Sequence, residues 1–195
     1  MYKGAALCAG ACAVSGAGGV QRRGGGPLNA AVFIFAGFAN TGKTTYICGL
    51  VRALLKRGRR VAVVKDAREH ALLSSGKDSD RFLEAGAACA GLAGSDAAML
   101  LMPGAPSLDT LLGRLPADTE IVLAEGFKRE PFPQIGLYRA ASGQPLPAPP
   151  ERYIALVTDT PLDAPTPQFP LSDPEPLADF LLSRLEQRPF ETAAT

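Results

Sequence analysis

The chain has 195 residues, enough for one domain with a substantial core, and its 47% hydrophobic and 20% charged content is that of a soluble globular protein. Its 20 Lys plus Arg against 19 Asp plus Glu give no electrostatic case for nucleic acid or an anionic membrane as partner. No apolar run approaches the roughly 18 residues of a spanning helix, so no membrane span is expected.

Cys8, Cys12, Cys48 and Cys89 form no Cys-x-x-Cys pair. They read as reduced thiols in a reducing compartment, the cytoplasm. His70 is the single histidine and has no ligand cluster around it, which argues against zinc. Residues 1–29 are rich in Ala and Gly, show neither a helix nor a strand period, and end in the linker-like Gln21-Arg22-Arg23-Gly24-Gly25-Gly26-Pro27. A disordered extension is expected there. A signal peptide is the alternative, weakened by glycine breaks and few leucines.

The folded part, a nucleotide-binding domain over 30–190, opens near Ala30. The strand formers Ala31-Val32-Phe33-Ile34-Phe35-Ala36 run into Gly37-Phe38-Ala39-Asn40-Thr41-Gly42-Lys43-Thr44-Thr45. The second stretch has the spacing of a P-loop. Ile47, Leu50, Val51, Leu54 and Leu55 then recur at helical spacing. Strand, glycine loop and helix are what phosphate binding requires. The loop from Gly37 through Thr45 turns backbone N–H groups inward, and the helix N-terminus adds positive potential. Lys43 is expected on the β- and γ-phosphates and the Thr44 hydroxyl on Mg2+. Asn40 stands where many such loops carry Gly and tolerates a left-handed backbone. A ligand-free glycine turn is the alternative.

After the first helix, Gly58 is the stop signal. A buried parallel strand is expected at 60–65, then a loop of about a dozen residues, long enough to suggest function. A helix from about Ser79, capped by Asp78 or Ser79, should end at Gly86. Further expectations are a strand at 97–102, a short helix at 107–115, a buried strand at 120–124 and a strand near an edge at 134–138. A last strand at 153–158, a Pro-rich excursion at 161–174 and a last helix at 176–187 complete the chain. Alternating strands and helices predict an α/β fold with a mainly parallel sheet flanked by helices, that is, a three-layer P-loop NTPase fold.

In such sheets ligands bind at the carboxyl ends of the strands. Glu125 ends the strand Ile121-Val122-Leu123-Ala124 and can hold Mg2+ or its waters, as a Walker B acid does; a surface Glu is the alternative. Asp66 could orient a water or bind Mg2+ through water, and Lys65 could contact a phosphate as a point charge. Ordinary loop charges are the alternative for both. Asp159, after Thr158, could accept two hydrogen bonds from guanine N1 and N2, which adenine does not offer, or could be a turn residue.

Several stretches together resemble the molybdopterin-guanine dinucleotide biosynthesis adapter protein (MobB) family. They are Gly42-Lys43-Thr44-Thr45, Gly58-Arg59-Arg60-Val61-Ala62-Val63-Val64-Lys65, Gly76-Lys77-Asp78-Ser79 with Glu84-Ala85-Gly86-Ala87, Ile121 through Lys128, and Ala155-Leu156-Val157-Thr158-Asp159 with Pro161-Leu162. The Glu-Gly-Phe-Lys and Gly-Lys-Asp-Ser pieces are the specific ones. The resemblance implies a GTP- and Mg2+-binding homodimer with slow GTPase activity. It implies an accessory role beside the guanylyltransferase that attaches GMP to molybdopterin. The chain departs from the family pattern in lacking His directly after Lys65, in Asn40 for Gly and in Glu120 for Asp, and residues 1–29 have no counterpart. The competing readings are a small-molecule kinase, opposed by the few arginines in the candidate lid loops, and a non-hydrolysing nucleotide-sensing adapter.

Overall fold

Six strands lie parallel in one sheet, in the order β2-β5-β1-β6-β7-β8. They are β1 (Ala31–Ala36), β2 (Val61–Lys65), β5 (Ile121–Glu125), β6 (Gln134–Tyr138), β7 (Ala155–Thr158) and β8 (Gln168–Pro170). A second sheet is the antiparallel pair β3 (Ala90–Ala93) and β4 (Ala98–Leu101). The helices are α1 (Lys43–Lys56), α2 (Asp78–Glu84), α3 (Leu108–Leu112) and α4 (Glu175–Gln187). This computed structural model describes residues 30–67 and 78–187. The expected tail at 1–29 and the loop positions Arg68, Glu69, His70, Gly76 and Lys77 lie outside the described residues. Among the described residues no helix is long and apolar enough to cross a membrane.

The main sheet is apolar on both faces because helices cover both. Phe33 and Phe35 of β1 pack with Ile121 and Leu123 of β5 against Tyr46, Ile47, Leu50 and Leu54 of α1 and Leu177 and Leu181 of α4. Val32 and Ile34 point the other way and pack with Val122 and Ala124 against Leu108 and Leu112 of α3 and against Phe127. Burying each large side chain of these cores contributes about 1.5–3 kcal/mol. Alternation along β1 thus builds two cores at once, and it places the carboxyl end of β1 between those of β5 and β6.

The expected elements shift in five places. β2 lies at an edge rather than in the interior, and Val63 is 47% exposed. An apolar run reports that a strand meets other apolar groups, not how many strands flank it. β6, expected near an edge, lies between β1 and β7, where Ile135 and Leu137 join the α1–α4 core. The strand expected at 97–102 pairs with Ala90–Ala93 instead of the main sheet. The partner Ala-Gly-Leu-Ala carries little strand propensity and gave no signal. The excursion at 161–174 contains β8, so β7 is not the last strand; Pro is tolerated there because β8 is an edge. The helix expected at 107–115 contracts to Leu108–Leu112, with Ser107 accepting the Thr110 amide at 3.2 Å as its cap.

Candidate nucleotide site at the P-loop

The buried strand β1 delivers Gly37 to a tight place where a side chain would crowd its neighbours. A Cβ there would lie 3.0 Å from the Leu137 carbonyl oxygen and 3.1 Å from Thr41 Oγ1. The loop then turns through Asn40 at φ 62°, the left-handed conformation its residue type suggested, and through Gly42 at φ 88°. Thr41 is buried, and its hydroxyl donates to the Phe38 carbonyl at 2.9 Å, closing the loop on itself. Lys43 Nζ donates to the same carbonyl at 2.6 Å. An ammonium has three donors, so this bond anchors Lys43 while leaving donor capacity for an anion.

Lys43, Thr44 and Thr45 are the first residues of α1, whose leading N–H groups have no acceptor inside the helix. No side chain caps this terminus, and its first turn carries no acidic residue, whereas α2, α3 and α4 each carry at least one. The positive end of the helix dipole is therefore not neutralised locally.

Register assembles the rest. Phe35 and Lys65 both pair with Glu125 across the parallel ladders. Glu125 is 9% exposed. Its Oε2 accepts the Thr44 hydroxyl at 3.1 Å, and its Oε1 lies 3.3 Å from Lys65 Nζ. Lys65 thus sits on the carboxylate rather than over the loop. Neighbouring oxygens in a Mg2+ octahedron with bonds of about 2.0–2.1 Å lie about 2.9 Å apart, so the Thr44–Glu125 pair fits two adjacent ligands of that ion. Two protein oxygens, completed by phosphates and waters, are what Mg2+ usually takes. Among the described residues no group of three or more His, Cys, Asp or Glu gathers to hold a metal.

Burial lowers the Lys43 pKa below the ordinary 10.5; Glu125 opposes that shift, and Lys128 and Lys65 add to it. Asp66 follows β2, donates its amide to the Glu125 carbonyl at 2.8 Å and packs against Gly126. Asp159 is brought elsewhere. It is exposed beyond β7, two strands from β1, and its Oδ1 accepts the Ala140 amide at 2.9 Å. Sequence reasoning missed Phe38 and Lys128, whose Nζ stands 5.1 Å from the Phe38 ring centroid. The signal available was the position of Lys128 three residues beyond Glu125.

Fold and site together define the class, a P-loop NTPase-like α/β protein. The family model described as molybdopterin guanine dinucleotide synthesis protein B, MobB, matches residues 32–159, and the chain belongs to this family. It is 36% identical over 149 residues to a molybdopterin-guanine dinucleotide biosynthesis adapter protein of Haemophilus influenzae, covering 74% of this chain and 84% of that protein. The protein of the same description from Escherichia coli is 33% identical over 162 residues, covering 79% and 93%. The crystal structure of a MobB homologue from Bacillus stearothermophilus is similar with a TM-score of 0.57 at 27% identity, covering 80% of this chain and 99% of that one.

Proposed function

We propose that the chain is a GTP-binding adapter in molybdopterin guanine dinucleotide synthesis, with slow Mg2+-dependent GTP hydrolysis. The observation that carries the nucleotide reading is the Thr44 hydroxyl 3.1 Å from the Glu125 carboxylate, at a helix N-terminus without an acidic first turn. Amides of residues 37–45 bind the phosphates, and Lys43, held on the Phe38 carbonyl, neutralises the bridging region. Thr44 and Glu125 hold Mg2+, which when bound withdraws charge from the phosphate oxygens. Lys65, 3.3 Å from Oε1, orients the Glu125 carboxylate. Asp66, fixed against Gly126, orients a water toward the phosphate end. Asp159 reads guanine; a carboxylate has about four acceptor sites, so the Ala140 contact leaves capacity for two more donors.

The family supports the partner reading: a molybdopterin guanylyltransferase, with the adapter itself a homodimer in the cytoplasm. The test is calorimetry of the purified chain with GTP and ATP, each with and without Mg2+. Tighter binding of GTP that strengthens with Mg2+ is expected. Equal affinities would remove the guanine reading, and no binding of either would remove the nucleotide reading.

A further inference from the structure

The Glu125-Gly126-Phe127-Lys128 turn is built more rigidly than a strand end needs. Gly126 (φ 92°) and Phe127 (φ 52°) are successive left-handed residues. For Phe127 this conformation is strained, tolerated only where the surroundings over-determine it. They do: Phe127 is 4% exposed in the α3 core, and a Cβ on Gly126 would come within 2.6 Å of Asp66 Cβ. A turn fixed from both sides sends the chain back at a set angle, so the site of Lys128 is set as well.

Lys128 leads to the P-loop. Its Nζ stands over the Phe38 ring at 5.1 Å, while Lys43 Nζ bonds the Phe38 carbonyl. Two ammonium groups therefore lean on the same loop residue, one through the ring and one through the backbone. Their mutual repulsion contributes to the lowered Lys43 pKa, after burial. Lys65 has Glu125 as partner; among the described residues no carboxylate pairs with Lys128. Lys43 and Lys128 thus both reach the loop at Phe38, while Lys65 stays on the buried Glu125 carboxylate.

We propose that Lys128 contacts the terminal phosphate of a nucleoside triphosphate and sets the preference for triphosphate over diphosphate. The inference rests on the nucleotide reading above. Loop amides and Lys43 suffice for a diphosphate. A third phosphate would extend toward Thr44 and Glu125, the residues that would hold Mg2+. The chain that leaves Glu125 carries Lys128 back over the Phe38 ring of the loop. An ammonium there acts as a point charge on whatever oxygen arrives.

The experiment measures binding of a non-hydrolysable triphosphate analogue and of the diphosphate, with Mg2+, to wild type, Lys128→Ala and Lys128→Arg. Guanine and adenine pairs are both used. Lys128→Ala is expected to lower triphosphate affinity about tenfold with diphosphate affinity unchanged, and Lys128→Arg to restore most of the loss, since a charge-assisted contact is worth about a decade. An equal loss for both ligands would mean a general field effect and overturn the assignment, as would no loss. A wild-type chain that favours neither base leaves the triphosphate-to-diphosphate ratio readable and retracts only the guanine reading. A wild-type chain that binds neither triphosphate overturns the nucleotide reading and this assignment with it.

Discussion

Lys43 sits where its charge is disfavoured. Burial lowers its pKa below 10.5, so between the lowered value and 10.5 the unfolded chain binds more protons than the folded one. Stability therefore rises with pH across that window as the strained ammonium is relieved. A bound polyphosphate acts in the opposite sense, because it favours the ammonium. Nucleotide binding in that alkaline window should take up protons, and at neutral pH, where Lys43 is charged with or without ligand, Lys43 should contribute none. Calorimetry in two buffers of different ionisation enthalpy reads this directly; no pH dependence of the uptake would separate Lys43 from the phosphates. Lys43→Ala should abolish tight triphosphate binding while circular dichroism stays native, since the loop side chain contributes little to the core. Retained affinity in a folded variant would end the P-loop assignment. Asp159→Asn poses a finer question. The amide oxygen can keep the Ala140 contact, so the turn should survive, while an NH2 is now set against the guanine donors. GTP affinity should fall by about one to two decades, and xanthine nucleotides should gain. Competition among GTP, XTP and ATP that is the same for variant and wild type would leave Asp159 a turn residue.

Strands and helices show which parts of this were legible in the chain. The loop's conformation was readable because it is local: Gly37, Asn40 and Gly42 set the backbone within a few consecutive residues. The strand before it and the helix after it follow from short-range periodicity. The Thr44–Glu125 bond joins residues 81 apart, and it exists because β1 and β5 pair in one register. An acidic strand end suggested Glu125, but Lys65 as its partner required that register too. Sheet order lay beyond reach, since neither the edge position of β2 nor the interior position of β6 leaves a periodic trace. The contact between α1 and α4 was equally hidden. Arg57 at the end of α1 binds Glu175 and reaches Asp179 at 2.7 Å, and Lys56 adds a bond to Glu175 at 3.1 Å. Those bonds, Arg57 first, hold the Glu175 carboxyl below its ordinary 4.5. A depressed carboxylate stabilises the fold above its unfolded value, and that contribution is lost as pH falls through the folded one. Glu175→Gln should accordingly melt below wild type at neutral pH, with the two curves converging in acid below 4.5. A gap that persists unchanged into acid would assign the effect to packing instead of charge.

At the scale of the molecule, the main sheet and the ribbon β3–β4 obey different rules. The six parallel strands bury their core against α1, α3 and α4, whereas the ribbon shows apolar side chains on both of its faces. Leu92 and Met99 stand opposite each other on one face, and Leu100 lies on the other. Met99 is 60% exposed, and Phe82 on the adjoining α2 is also exposed. A two-stranded ribbon is marginally stable alone in water, and among the described residues neither of its edges pairs with a further strand. Exposed apolar surface concentrated in this way marks an interaction surface. The homodimer proposed above would cover it with a second copy, in an interface of the usual total area of about 1,200–2,000 Å2. Replacing Met99 and Leu100 together by Asp sets a charge on each face of the ribbon without touching β1, β5 or the P-loop. Sedimentation at micromolar concentration should show wild type as a dimer and this double variant as a monomer, with triphosphate affinity kept. A monomeric wild type would remove the homodimer. A variant that still dimerises would place the interface elsewhere, with the β2 edge and its exposed Val63 the next surface to change.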